Sequence, residues 1–258
     1  MSAVNDVITT EGVSQRPRFF GSSGENVLLL HGQYGAPQCE ALAKQLGGHA
    51  RVCLPTHPGY DDLDRPEWLE RIPDLAHYYF SLLEQMGWER VHVIGHDIGG
   101  WIAAEMAVRQ CAVFNRMSLI SPFGLHVDGL APQDFFLLND ERFAQESVHQ
   151  PAMAERVFEG VADGEELTLI RNREMTAKLG WQPRLHDWQL AKWLHRAKVP
   201  TQVIWGEHDA ILPVGVMAGW LDRLPDAVGV TIPACGHLPQ IEQVDVLVTE
   251  IQQFANYQ

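Results

Sequence analysis

Asp97, Asp209 and His237 are the side chains whose types and spacing could do chemistry, and Asp97 stands in the most constrained surroundings. A β-branched apolar run, Val91-His92-Val93-Ile94, enters Gly95-His96-Asp97-Ile98-Gly99-Gly100, and an Ala-rich apolar segment from Trp101 to Val108 follows at once. That pattern reads as strand, sharp turn and helix. The turn has the form glycine-x-nucleophile-x-glycine, with aspartate at the centre where serine is more usual. Gly95 and Gly99 remove side chains that would collide in so tight a bend. The helix behind it aims free backbone N–H groups at any negative charge that develops above the turn.

The residue type selects the reaction. A serine in that place attacks a carbonyl and makes an acyl ester. A carboxylate attacking the same carbonyl would make an anhydride, a poor route, but it is suited to displacement at saturated carbon, which gives an alkyl ester. An imidazole oriented by a second carboxylate can then take a proton from water, and that water attacks the ester carbonyl. His237 and Asp209 fit these roles. Each lies just past an expected strand, Thr201 to Trp205 before Gly206-Glu207-His208-Asp209 and Val228 to Ile232 before Pro233-Ala234-Cys235-Gly236-His237. One strand–helix–strand unit separates them, as adjacent strands of a parallel sheet require. The pattern points to an epoxide or a carbon–halogen bond rather than an ester or amide.

The elements that must position these residues alternate along the chain. Short edge strands are expected before residue 24. Asn26 to Leu30 reads as a buried strand ending in His31-Gly32-Gln33-Tyr34-Gly35, and Arg51 to Leu54 as another. Pro37 to Leu46 and Leu69 to Met86 carry apolar residues at helical intervals, and Met117 to Ile120 is the strand after the Asp97 helix. This implies a mostly parallel sheet flanked by helices on both faces. From about Leu125 to Lys198 no strand pattern appears. The segment is helix-prone, broken by Gly and Pro, and carries Phe135, Phe136, Trp181, Trp188 and Trp193. Alternation resumes at Pro200, through a helix from Pro213 to Leu224 and an amphipathic closing helix from Ile241 to Phe254. The organisation expected is an α/β core of residues 1–124 and 199–258 with a helical insertion over 125–198.

Gly95 to Gly100 resembles the nucleophile elbow of the α/β-hydrolase superfamily in its Asp-nucleophile branch, that of epoxide hydrolases and haloalkane dehalogenases. Trp205 to Asp209 and Gly236-His237-Leu238-Pro239 are similar to the superfamily's acid and base loops, and the order nucleophile, acid, base is also that of the superfamily. His57-Pro58-Gly59 and Gly99 to Ala104 are similar to Ser-type esterases and carbon–carbon bond hydrolases. The resemblance implies an α/β-hydrolase fold whose inserted helical cap covers the carboxyl ends of the strands. It implies an oxyanion hole from the backbone N–H groups of Gln33 and Ile98, and a substrate pocket near His31, Tyr34, His96, Phe123, Trp181 and Trp188. It departs from both Asp branches. None of the tyrosines, Tyr34, Tyr60, Tyr78, Tyr79 and Tyr257, lies in the cap, and Ile98 stands where dehalogenases typically have Trp. The function expected is epoxide-hydrolase-like. The alternatives are a lyase or cyclase step with Asp97 as base, and a ligand-binding protein without chemistry.

Composition narrows the partners. In 258 residues, 46% are apolar and the formal net charge is −14, which argues for a small-molecule substrate and against nucleic acid or an anionic membrane. The four cysteines show no metal or redox spacing, so free thiols in a cytoplasmic protein are expected. Neither a signal peptide, an 18-residue apolar run, a metal-binding histidine spacing nor a Gly-rich phosphate loop is evident. No metal and no cofactor is expected, and the chain should be a monomer or homodimer.

Overall fold

Side-chain alternation along the strands divides the apolar interior into two layers. Leu28, Leu30, Val91, Val93, Met117, Leu119 and Val203 belong to one cluster, and Val27, Leu29, Ile94, Ile120 and Ile204 to the other. Such a split follows from the two-residue period of a strand whose faces are both covered. The computed structural model describes residues 7–159 and 166–257. Residues 160–165 of the expected cap and residues 1–6 lie outside it.

The strands are β1 (Ile8–Thr10), β2 (Val13–Gln15), β3 (Arg18–Phe20), β4 (Glu25–Leu30), β5 (Ala50–Leu54), β6 (Val91–His96), β7 (Phe114–Ile120), β8 (Thr201–Gly206) and β9 (Ala227–Ile232). β1 and β2 form a separate two-stranded sheet; the other seven run in the order β3-β5-β4-β6-β7-β8-β9. Only β3, at the edge, is antiparallel to its neighbour. The helices are α1 (Glu40–Leu46), α2 (Ile72–Gln85), α3 (Ile98–Gln110), α4 (Asp140–Ser147), α5 (Glu166–Gly180), α6 (Trp188–Trp193), α7 (Val216–Leu221), α8 (Pro239–Glu242) and α9 (Val244–Ala255). α1 and α9 bury Leu42, Leu46, Leu247 and Ile251 against one face, while α2 and α3 bury Leu75, Tyr79, Ile102 and Met106 against the other.

The strand order decides where a site can form. From β4 the chain steps to β5 on one side, then crosses to β6 on the other side of β4 and continues outward to β9. Winding therefore reverses between β4 and β6, and the loops leaving their carboxyl ends diverge around a crevice. Gln33 follows β4 and Asp97 follows β6, so the topology brings those two turns together.

Two helix boundaries differ from the sequence expectation for local reasons. α2 starts at Ile72 rather than near Leu69, because the Asp74 carboxylate accepts the backbone N–H groups of Glu70 and Arg71, at 3.0 and 2.8 Å, and caps the helix there. The closing helix is two helices. Gln243 leaves helical geometry (φ −139°, ψ 44°), and Glu242 stays on the short α8, where its carboxylate accepts the N–H groups of Gly236 and His149.

The described part of residues 125–198 runs from an irregular stretch over 125–134 into helical segments that include α4, α5 and α6, with one isolated bridge, Gly124 to His186. It is fastened over the strand ends. The His237 N–H donates to Ser147 O at 2.8 Å, Gln38 Nε2 to Val157 O at 2.8 Å, and Tyr60 Oη pairs with Thr176 Oγ1 at 2.9 Å. Asn172 makes two bonds to Asp61, accepting its N–H at 2.7 Å and donating to its carboxylate at 2.9 Å. No helix among the described residues is long and apolar enough to cross a membrane. All four cysteines are free; Cys39, Cys53 and Cys235 are buried and Cys111 is partly exposed.

The β6–α3 turn tolerates no added carbon. A Cβ on Gly99 would lie 2.2 Å from Leu30 O and 2.5 Å from His31 O, both rigid strand-end backbone. Gly99→Ala should therefore destabilise the protein by about 2–3 kcal/mol, at the upper end for overpacking, read as a lower urea midpoint with unchanged m-value. A midpoint within about 0.5 kcal/mol of the parent would show that the two turns are not in contact.

Candidate active site

β6 delivers Asp97 on a backbone that few residues adopt. Its φ is 57° and ψ −120°, a conformation that costs of order 1–3 kcal/mol. Neighbours on every side hold it. Asp97 N–H donates to Ile120 O on β7 at 3.0 Å, and Asp97 O accepts from Gly100, Trp101 and Phe123 at 3.1–3.2 Å. The side chain is fully buried. Its Oδ1 accepts the Ile98 N–H at the start of α3, whereas Oδ2 has no hydrogen-bond partner.

Asp97 Oδ2 lies 3.6 Å from His237 Nε2, which also lacks a hydrogen-bond partner. The other ring nitrogen, Nδ1, is 2.8 Å from Asp209 Oδ2. Asp209 is fixed in turn, with Oδ1 accepting the N–H groups of Ile211 and Leu212 at 3.0 and 2.8 Å. Glu207, the competing carboxylate in that loop, points outward, half-exposed beside His208 at 3.6 Å. One imidazole thus sits between two buried carboxylates. Burial pushes its pKa down, but Asp209 and then Asp97 more than offset this and raise it to about 10.

The surrounding histidines behave oppositely. Burial holds His31 and His92 down to about 3, His96 to about 4, and His57 well below the ordinary imidazole value, so all four stay neutral at pH 7. Each has defined partners. His96 Nε2 donates to His237 O at 3.0 Å, and His96 Nδ1 accepts from Gln240 Nε2 at 3.3 Å. His31 donates to Gly32 O and accepts the His57 N–H, with the two rings stacked 3.6 Å apart.

These contacts sort the residues that the sequence singled out. Asp97, Asp209 and His237 come together. Tyr34 is buried with its hydroxyl unpartnered, its ring against Phe143 and Phe158 at 4.6 and 5.2 Å. Phe123 lies 5.8 Å from the His237 ring. His31 and His96, expected near the substrate pocket, have both ring nitrogens engaged by the protein. The expectation for Trp181 and Trp188 is corrected: they are 53% and 54% exposed and do not line the buried site. Trp181 lies under Arg184, 3.9 Å from its ring, and Trp188 packs on His126 and His186. The aromatic side chains over the site are Phe135 and Phe143, linked to Phe123 and Tyr34. Sequence reading missed Phe143, which packs on Tyr34 and Phe135, and also Ser147, Glu242 and Gln240, which bond His237, Gly236 and His96. Only Phe143 had a signal, as the apolar residue of the otherwise polar α4.

The alpha/beta hydrolase family profile matches residues 27–250. The chain is 29% identical over 252 residues to a pimeloyl-[acyl-carrier protein] methyl ester esterase of Aromatoleum aromaticum, covering 88% of this chain and 97% of that protein. It is 26% identical over 243 residues to a 2-hydroxy-6-oxo-6-phenylhexa-2,4-dienoate hydrolase of Comamonas testosteroni, covering 86% and 84%. A solved structure of an epoxide hydrolase superimposes with a TM-score of 0.77 at 19% identity, covering 98% of each chain, a likeness of fold alone.

The shifted histidines predict a two-sided dependence of stability on pH. Between pH 6.5 and about 4 the unfolded chain takes up protons that His31, His57, His92 and His96 refuse in the fold, so stability falls as pH drops, by up to ~1.4 kcal/mol per pH unit for each. The raised pKa of His237 gives the opposite sign. Its contribution is complete below 6.5 and is lost as pH rises towards 10. Urea unfolding at each pH should therefore show a maximum close to neutrality. His237→Gln should flatten the slope between pH 6.5 and 8 and leave the acid limb unchanged. An unchanged slope in that window would mean that His237 is not charged in the fold.

Proposed function

The chain belongs to the alpha/beta hydrolase family, and on that premise we propose that it hydrolyses a small organic substrate through an aspartyl alkyl ester, as an epoxide hydrolase does. One observation carries this reading. The Asp97 carboxylate is divided, with Oδ1 held by the Ile98 N–H and Oδ2 buried without a hydrogen bond, 3.6 Å from His237 Nε2. A free carboxylate oxygen on a fixed carboxyl group is what in-line attack on saturated carbon requires.

In the first step Asp97 Oδ2 bonds to an epoxide carbon and the ring C–O bond breaks. The leaving oxygen needs one proton. Once alkylated, Asp97 is neutral, and His237 loses one of the two carboxylates that hold its pKa up. The unpaired Tyr34 hydroxyl gives its proton to the alkoxide and is reprotonated by the imidazolium, a role that water takes over in a His237 variant. In the second step neutral His237, held by Asp209, deprotonates water, and the hydroxide attacks the ester carbonyl. The oxyanion forms on Oδ1, already bonded to the Ile98 N–H, with the Gln33 N–H as second donor. Collapse expels the product alkoxide, which takes the proton of the attacking hydroxyl; Asp97 is left as carboxylate and His237 as imidazolium, and the sum is epoxide plus water to diol. The relatives named as a hydrolase and an esterase support the hydrolytic outcome. The aspartate sets the bond attacked.

Asp97→Ala should lower kcat by roughly 10⁴-fold or more. His237→Gln should still be alkylated but stall, so its intact mass rises by that of the epoxide. Single turnover of wild type in heavy-oxygen water should label the Asp97 carboxylate. A wild type that turns an epoxide over with neither label nor trapped adduct would sink the covalent route and leave Asp97 as a proton carrier.

A further inference from the structure

A buried polar atom without a partner is costly, so proteins rarely keep several in one place. The turn that abuts Asp97 holds three, Gln33 Nε2, Gln33 Oε1 and Tyr34 Oη. The backbone of this turn runs against Asp97, since a Cβ on Gly32 would lie 3.0 Å from Asp97 Cβ. Asp97 Oδ2 and His237 Nε2 are unpartnered as well. The hydrolytic steps above use Asp97, His237 and Tyr34, but give the Gln33 carboxamide nothing to do. Gln33 is 1% exposed, so bulk water does not satisfy it. Gln38, five residues on and also buried, finds a protein partner in Val157 O.

The geometry points to a substrate class: a neutral molecule that carries, next to its electrophilic carbon, a hydroxyl or carboxamide that both gives and takes a hydrogen bond with the Gln33 side chain. A carboxamide offers one donor and one acceptor side by side, which a hydroxyl or another carboxamide matches and a hydrocarbon leaves empty. Charge argues against an acid in that place. Two carboxylates and one imidazolium leave the buried centre net negative. The guanidinium of Arg173 is committed to Asp140 and to the carbonyls of Phe136 and Leu138. This inference rests on the Asp97 reading only for the kind of electrophile.

The test uses the full-length His237→Gln chain, whose Asp97 adduct is followed by intact mass. Glycidol and glycidamide should alkylate it about tenfold faster or more than 1,2-epoxybutane, because a site built for hydrogen bonds discriminates against an analogue lacking them. Adding Gln33→Leu should shrink that preference to about twofold, as the loss of one uncharged hydrogen-bonding partner implies. Gln33→Met repeats the comparison with an unbranched apolar side chain. Binding is read separately in wild type by thermal shift, where propanamide should stabilise the protein and propanoate should not, and Gln33→Leu should lose the propanamide shift. Equal alkylation by all three epoxides overturns the substrate class and leaves Asp97 as nucleophile. No alkylation, with a propanamide shift that depends on Gln33, overturns the Asp97 reading and keeps the Gln33 assignment. Neither alkylation nor such a shift overturns both.

Discussion

Backbone running directly against backbone at the β6–α3 turn is the constraint on which the site depends. A Cβ on Gly95 would meet Gly99 O at 2.3 Å, and one on Gly99 would meet Leu30 O at 2.2 Å. The absence of both lets the elbow close and lets the end of β4 rest on it. That contact puts Gln33 and Tyr34 beside Asp97 and presents the Ile98 N–H to its carboxylate. A second close approach fixes the acid and base. Gly206 and Gly236 run so near each other that a Cβ on Gly206 would lie 1.9 Å from Gly236 O. Asp209 and His237 leave these two strand ends only a few residues later, so their 2.8 Å hydrogen bond is set largely by strand pairing.

Charge at the site is arranged by exclusion as much as by pairing. Burial keeps His31, His57, His92 and His96 neutral, and their ring nitrogens are spent on backbone carbonyls, an amide, hydroxyls and each other. Had His96 carried a proton, its charge beside His237 would oppose the imidazolium, since the rings are 5.2 Å apart. The positive charge therefore rests on the one ring that faces both carboxylates. Acid destabilisation accompanies this design, because four neutral histidines must be protonated on unfolding.

The meeting of Asp97, Asp209 and His237 was legible because each follows a strand with a turn signature, and strand ends at a switch point are where α/β sheets build sites. The sheet was legible for the same reason, since alternating apolar runs and helical periods are local. What failed was non-local. Nothing in the neighbourhood of His31 or His96 reveals that the His57 N–H occupies one nitrogen of the first, or that the His237 carbonyl and the Gln240 carboxamide occupy both nitrogens of the second. The tryptophans misled in another way. A Trp is expected inside by its area, yet Arg184 stacked over Trp181 gives the ring a polar neighbour and lets it stay at the surface. Glu242 was unreadable because its partners are backbone N–H groups of Gly236 and His149, one of them 93 residues earlier.

An esterase, a dienoate hydrolase and an epoxide hydrolase all align with nearly the whole chain, so the fold does not choose the reaction. The choice lies in the atoms at the elbow. A serine hydroxyl there would offer one oxygen and need His237 neutral at the start, to take its proton. A carboxylate carries its charge from the outset and holds His237 protonated, with its pKa raised to about 10. Under the proposed alkyl-ester mechanism the same imidazole, between the same strands, begins as a proton donor and becomes a base only after Asp97 has spent its charge on carbon. In that mechanism, aspartate in place of serine at this turn reverses the order in which His237 gives and takes its proton, on the same sheet that positions it.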